Sequence, residues 1–184
     1  MIGVLASGEG TNLQALLDAG LPVVAVASNK PGVRALDRAE AAGVATGVFP
    51  LEEYGNREER DGALGLWLSE QGAEVAVLAG YMHLLTAPFL ELFPDRIVNV
   101  HPSLLPKYPG MHAIEEALAA GETSTGATVH FVDEGIDSGP IIGQVRVAIF
   151  ESDTIDTLRQ RIQSVEHWLL PGCISLYLEG KVWP

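Results

Sequence analysis

Short apolar runs alternate along this chain with segments whose apolar residues recur every three or four positions, the two periods of strand and helix. Residues 3–7 read as a strand, and residues 12–19 as a helix with Leu13, Leu16 and Leu17 on one face. Residues 23–28 are apolar almost throughout, as in a strand covered on both faces. A helix over 33–42, a strand over 44–49, a longer helix over 56–71 and a strand over 75–79 follow. A short helix over 88–93 and a strand over 97–100 complete the first half.

The second half has a different rhythm. A Pro- and Gly-rich loop spans 102–110, and a helix covers 113–120. Residues 127–132 and 141–148 alternate in polarity around a turn at 135–140, which predicts an antiparallel pair at a sheet edge. Residues 154–179 read as a long helix with a break at Pro171-Gly172, and Lys181-Val182-Trp183 as a last short strand. The expected fold class is α/β: a Rossmann-like, mostly parallel sheet with helices on both faces and an antiparallel C-terminal strand pair. No repeat, low-complexity tract or linker interrupts it, so one domain over residues 1–184 is expected.

Composition narrows the function classes. A chain of 184 residues that is 47% apolar can bury a substantial core. Its formal net charge of -13, with few and scattered basic residues, disfavours nucleic acid as a partner. No apolar run is long enough to cross a bilayer, and Met1-Ile2-Gly3-Val4 reads as a strand start rather than a secretory signal, so no membrane partner and a cytoplasmic location are expected. The single cysteine, Cys173, excludes an intramolecular disulfide and reads as a small buried apolar residue.

Two segments carry candidate chemistry. Ser7-Gly8-Glu9-Gly10-Thr11-Asn12 joins the first strand to the first helix. Glycines allow a close backbone approach, and the helix start offers N–H groups to a phosphate. A dinucleotide fingerprint is incomplete, because Leu13 stands where a third glycine is needed and no acid follows the second strand. A simple phosphate, or a plain turn capped by Thr11 or Asn12, remains.

The other segment is Asn99-Val100-His101, followed further along by Asp137 in a Gly-rich turn. Alternation along a strand puts Asn99 and His101 on one side. Amide, imidazole and carboxylate form a set suited to acyl transfer: a donor to a developing oxyanion, a proton carrier, and an anion that raises the imidazole pKa. Each residue also has a structural reading, as a strand-end or turn residue. The five histidines form no recognisable metal-ligand spacing, and no metal is expected. His130 is placed either behind the site or in the core, and Leu105-Pro106 in the tight loop is a candidate cis bond.

Asn99-Val100-His101-Pro102-Ser103-Leu104-Leu105-Pro106-Lys107-Tyr108-Pro109-Gly110 resembles the signature of the folate-dependent formyltransferases. Gly8-Glu9-Gly10-Thr11-Asn12-Leu13-Gln14, Gly126-Ala127-Thr128-Val129-His130-Phe131-Val132-Asp133 and Asp137-Ser138-Gly139-Pro140-Ile141 extend it, in the family's order, over nearly the whole chain. The resemblance implies the formyltransferase fold. It also implies transfer of the formyl group of 10-formyltetrahydrofolate, a co-substrate, to the amine of glycinamide ribonucleotide in de novo purine biosynthesis, by a chain acting alone or as a homodimer. Residue by residue, it implies catalytic roles for Asn99, His101 and Asp137. Substrate contacts fall to Gly10, Thr11 and Asn12, and to Gln163, Ser164, Val165 and Glu166. Folate contacts fall to Arg57, to Met82, His83, Leu84 and Leu85, and to Asp133, Glu134, Gly135 and Ile136. The chain departs from the pattern at His83, where the family often carries arginine. A formyltetrahydrofolate hydrolase and a non-catalytic phosphate-ligand module are the alternatives; a tRNA-directed formyltransferase is opposed by the charge.

Overall fold

A computed structural model describes residues 1–184. Seven strands form one sheet of order β3-β2-β1-β4-β5-β6-β7. The strands are β1 Ile2–Leu5, β2 Val23–Ser28, β3 Ala45–Val48, β4 Val75–Leu78, β5 Ile97–His101, β6 Ser124–Phe131 and β7 Ile141–Ala148. Six α-helices connect them: α1 Thr11–Asp18, α2 Arg34–Ala41, α3 Arg57–Glu70, α4 Ala87–Leu90, α5 Ala113–Ala119 and α6 Ile155–Leu178. β1 pairs in parallel with β2 and β4, β2 in parallel with β3, and β6 antiparallel with β7. This is the α/β architecture that the alternating pattern predicts.

The chain divides into two compact units, Met1–Val98 and Asn99–Pro184, and the boundary falls inside β5. In the first unit every residue of β1 and β4 is buried, which is why both read as unbroken apolar runs. Leu13 and Leu16 of α1, Ala35, Leu36 and Ala39 of α2, and Leu64 and Leu68 of α3 are the buried apolar stripes of the unit's helices; α2 packs on β2 and β3, and Leu68 reaches Gly3 of β1. Gly10 precedes α1 in the left-handed region at φ 69, and a Cβ there would lie 2.7 Å from the Ala35 backbone. No other residue type fits that turn without moving α2.

In the second unit β7 lies at the sheet edge and alternates between exposed and partly covered positions. Gly143 on β7 faces α6 so closely that an added Cβ would sit 2.9 Å from Cys173 Sγ. Cys173 is buried, and burial pushes its thiol up to about 11, in keeping with an apolar core residue. Thr154 opens α6 with a reciprocal capping box to Thr157.

Two expected features differ. α6 is not broken at Pro171-Gly172 but runs through Pro171 for 24 residues. Proline inside a helix costs about 3 kcal/mol. Burial of Leu169, Leu170, Cys173 and Ile174 on the same stretch outweighs that, at about 1.5–3 kcal/mol for each large apolar side chain. Residues 181–184 form no strand. They find no ladder partner, and Trp183 is 72% exposed, with its ring edge folded back toward Gly180.

Candidate active site

β5 ends in Asn99-Val100-His101, and the pleat sends Asn99 and His101 to the same side. His101 is buried and Asn99 half-buried. The loop that follows is fastened to the adjacent strands. Thr128 Oγ1 donates to Ser103 O (2.7 Å) and accepts from Leu105 N (3.2 Å), while Gln144 Nε2 donates to Leu105 O and to Thr128 Oγ1 (2.8 Å each). The Leu105-Pro106 bond is cis, as the tight loop suggests. So held, the loop presents two backbone groups to the site: the Tyr108 carbonyl and the Gly110 amide.

The turn between β6 and β7 delivers Asp137. Asp133 Oδ1 accepts from Gly135 N (2.9 Å) and Ser138 Oγ (2.8 Å), closing the turn, and Asp137 sits at φ 50 in the left-handed region that aspartate tolerates. Its carboxylate is the hub. Oδ2 accepts from Gly110 N at 2.8 Å and lies 3.3 Å from His101 Nδ1; Oδ1 accepts from Asn99 Nδ2 at 3.2 Å. The three side chains expected to act together therefore do meet, from segments 38 positions apart.

His130, on β6, joins them. Its Nδ1 donates to Phe131 O at 2.8 Å, which leaves Nε2 3.2 Å from Asn99 Nδ2 and 3.5 Å from Asp137 Oδ1. With its hydrogen on Nδ1, the ring accepts from the Asn99 amide at Nε2. The amide nitrogen of Asn99 is thus held between two acceptors. The chain pattern leaves His130 between site and core. The signal for the site is its inward register on the strand beside Asn99. Tyr108 and Gly110 act through backbone atoms, which no residue pattern announces.

The electrostatics correct one expectation. Burial pushes the His101 ring below the ordinary histidine value; the Asp137 charge and the Tyr108 carbonyl push it up, and burial prevails. The neutral ring predominates at pH 7. Burial would also raise Asp137, but contacts from His130 and the Gly110 N–H, with the positive charge of His101, hold its carboxyl at about 2. His101 Nε2 lies 2.8 Å from Tyr108 O, so that nitrogen carries hydrogen and Nδ1 faces the carboxylate. A proton arriving at Nδ1 meets a ready counter-charge. The set can accept one proton, hold it beside an anion, and offer an amide hydrogen to a carbonyl oxygen.

The remaining expected residues are on separate elements. In the first unit Gly10 is the residue before α1, and no side chain caps that helix, so Thr11 and Asn12 are its first residues rather than caps. Arg38 Nε donates to Glu9 O at 2.9 Å and Nη1 to Gln14 Oε1 at 3.0 Å, fixing the loop. Ser7 Oγ donates to Asn29 Oδ1 (2.6 Å) and accepts from Met82 N (3.0 Å), tying the end of β1 to residues 82–85. Arg57 Nη2 donates to Leu84 O. Met82 and Leu84 are more than half exposed, and Leu85 is partly covered. His83 is kept below the ordinary histidine value by burial and by Arg60 and Arg57, so it is a poor cation. In the second unit Glu166 is buried on α6, Gln163 and Val165 are half-buried, and Ser164 faces solvent, its hydroxyl donating to Gln160 O. Asp133, Glu134, Gly135 and Ile136 are exposed on the Asp137 turn. No three His, Cys, Asp or Glu side chains are grouped to hold a metal ion, and no helix is long and apolar enough to cross a membrane.

A family model described as formyl transferase matches residues 1–174. The chain is 46% identical over 97% of its length to a trifunctional purine biosynthetic protein of Drosophila melanogaster, of which it spans 14%. It is 40% identical over 98% of its length to phosphoribosylglycinamide formyltransferase of Escherichia coli, of which it spans 88%. Among solved structures, glycinamide ribonucleotide transformylase 1 from Symbiobacterium toebii superposes with a TM-score of 0.96 at 45% identity, covering 97% of this chain and 87% of that one. Phosphoribosylglycinamide formyltransferase from Bacillus halodurans gives a TM-score of 0.93 at 39% identity, covering 96% and 94%.

Proposed function

This chain belongs to the formyl transferase family, and on that premise we propose that it moves the formyl group of 10-formyltetrahydrofolate to the amine of glycinamide ribonucleotide, in the cytoplasm, in purine biosynthesis. The observation that carries the reading is the convergence of Asn99, His101 and Asp137 within 3.3 Å contacts on one strand end and one turn. We propose that residues 1–184 work as one formyltransferase domain, a view supported by a single family match running from residue 1 to 174.

The folate supplies a formyl carbon attached to nitrogen. Exposed Met82 and Leu84 with the Arg57 guanidinium in the first unit, and exposed Ile136 in the second, are each proposed to contact the folate. His83, Leu85, Asp133, Glu134 and Gly135 complete that proposed set. Gly10, Thr11 and Asn12 are proposed to hold the phosphate at the uncapped start of α1. Gln163, Ser164, Val165 and Glu166 are proposed for the amine end, with buried Glu166 as its anionic partner.

Chemistry at the triad then follows from protonation states. The substrate amine bonds to the formyl carbon, and its extra proton goes to neutral His101 at Nδ1. Asp137, ionised at any pH above about 2, stabilises the imidazolium so formed. Negative charge gathers on the formyl oxygen, where Asn99 donates a hydrogen it otherwise shares with Asp137 and His130, worth about 3–4 kcal/mol for a well-placed donor. The bond from formyl carbon to folate nitrogen breaks, the nitrogen keeps the electron pair, and His101 returns the proton to it. His101 is thus base first and acid second, and no external oxidant or reductant enters.

The test is a mixture of the purified chain, 10-formyltetrahydrofolate and glycinamide ribonucleotide, with products separated by chromatography. Formylated ribonucleotide and tetrahydrofolate in equal amounts support the reading. Formate released without the amine identifies a hydrolase instead, and binding without turnover identifies a non-catalytic module.

A further inference from the structure

Tyr108 meets the triad through its carbonyl, while its side chain is fastened elsewhere. The hydroxyl donates to Glu122 Oε1 at 2.9 Å, and Lys107 Nζ reaches the same oxygen at 2.7 Å. Glu122 stands between α5 and β6 on a stretch that is itself anchored. Glu122 N donates to Ala117 O (3.2 Å), and Ile149 N, just past β7, donates to Thr123 O (2.9 Å). The contacts from Lys107 and Tyr108 hold the Glu122 carboxyl below its ordinary value, so at neutral pH it is an ionised acceptor.

The backbone at Tyr108 needs a restraint. It lies at φ 55, in the left-handed region, where a bulky residue is an outlier. Pro109 follows, and the residue before a proline is pushed toward extended backbone. Relaxation of either torsion would swing the carbonyl away from His101. The neighbours are pinned: Ser103 Oγ donates to Lys107 O (2.6 Å), and Gly110 N donates to Asp137 Oδ2 (2.8 Å). Tyr108 is tied at both ends, its carbonyl to His101 and its hydroxyl to Glu122. The exposed Lys107–Glu122 pair contributes little by itself, whereas a phenol donating to a carboxylate is a charge-assisted bond.

The position of that carbonyl decides where the His101 hydrogen sits. A neutral imidazole has one hydrogen and two nitrogens to carry it. Asp137 Oδ2, 3.3 Å from Nδ1, favours the hydrogen there. Tyr108 O, 2.8 Å from Nε2, favours it on the other nitrogen, because a bare Nε2 would point its lone pair at a carbonyl oxygen. The carbonyl contact is the shorter of the two. Proton uptake from the substrate amine needs Nδ1 bare.

We infer that Glu122 and the Tyr108 side chain are positioning residues that select the tautomer of His101 with its hydrogen on Nε2. The carboxylate holds the phenol, the phenol holds a strained backbone, and the carbonyl keeps the ring hydrogen off the edge that faces Asp137. The effect on turnover rests on the formyl-transfer reading; the tautomer does not.

The experiment is 15N NMR of the full chain with labelled histidine, at a pH well above the ring's pKa, with steady-state kinetics alongside. The His101 signals are those missing from His101→Gln. The parent is expected to carry the ring hydrogen mainly on Nε2. Tyr108→Phe and Glu122→Ala are each expected to move it toward Nδ1 and to cut kcat roughly 10-fold, as for one lost bond to a charged group, with less than about a twofold change in either KM. The double variant is expected to be no worse than either single one, since both remove the same contact. Glu122→Gln keeps an acceptor oxygen and is expected to stay within about threefold of the parent. A parent with the hydrogen on Nδ1 overturns the inference. So do single variants that keep the parent's tautomer, that change it with no loss of kcat, or whose losses add in the double variant. If Tyr108→Phe does not fold, Glu122→Ala decides by the same signals. If the parent transfers no formyl group, that reading fails separately, and the tautomers of parent and variants alone uphold or overturn the inference.

Discussion

His101 turns its Nδ1 toward Asp137 at 3.3 Å while its Nε2 is tied to the Tyr108 carbonyl, so the one ring edge open to a new proton is the edge that faces the anion. Burial keeps the ring neutral until that proton arrives.

Asp137→Asn is expected to lower the His101 pKa further, because it removes the largest influence opposing burial. It is also expected to cut kcat by about 10²–10⁴, the usual range for general acid–base help, with little change in KM. Asparagine tolerates the left-handed backbone at position 137, so the change isolates charge from strain. NMR titration of the His101 ring in both proteins checks it; a pKa that stays put or rises removes the assigned role of Asp137.

Asn99→Ala is expected to cost about 10²–10³ in kcat, the loss typical of one oxyanion donor. His130→Phe deletes a partner of that amide without touching the oxyanion, and a smaller loss, roughly tenfold, is expected. Steady-state kinetics with both substrates varied separate the two. Equal losses would place His130 in direct contact with substrate.

Stability is expected to fall on acidification, in two windows. His101 is below its unfolded value of 6.5, so the folded state resists protonation. Its contribution is complete above 6.5 and is lost as pH falls through the folded value. Asp137 is lowered from 3.8 to about 2, so its contribution is present above 3.8 and lost as pH falls toward 2. Urea midpoints from pH 8 to 5 should decline in the parent and decline less in His101→Gln. Parallel slopes would show that the ring is not buried in its neutral form.

Gly10→Ala is expected to destabilise by about 1–3 kcal/mol, since it combines a positive φ with a Cβ 2.7 Å from the Ala35 backbone. Gly8→Ala meets nothing within 4 Å and should change stability by less than about 0.5 kcal/mol. Chemical denaturation reads both. If Gly8→Ala still raises KM for the ribonucleotide alone, the loop binds its phosphate; an unchanged KM counts against that role.

The strand ladder was legible because burial on both faces leaves unbroken apolar runs such as Val75–Leu78, and burial on one stripe leaves Leu13 and Leu16 three apart. Asn99 and His101 were legible because the pleat has period two. Other features depend on three-dimensional context. Arg60 and Asp61 have the polarity of a solvated helix face yet are wholly buried, and only neighbours distant in sequence, Tyr81 and Thr86, account for that. The direction of the His101 shift depends on how much protein surrounds the ring, a quantity that motif spacing does not contain. Pro171 carries the local signal of a helix break, and tertiary burial overrides it.

The close approach of Gly143 to Cys173 joins two sites thirty positions apart into one choice of volume. A lineage that gains a methyl group at the first must surrender bulk at the second. An engineer who alkylates the thiol would be wedging the outermost ribbon of the sheet away from its longest helix.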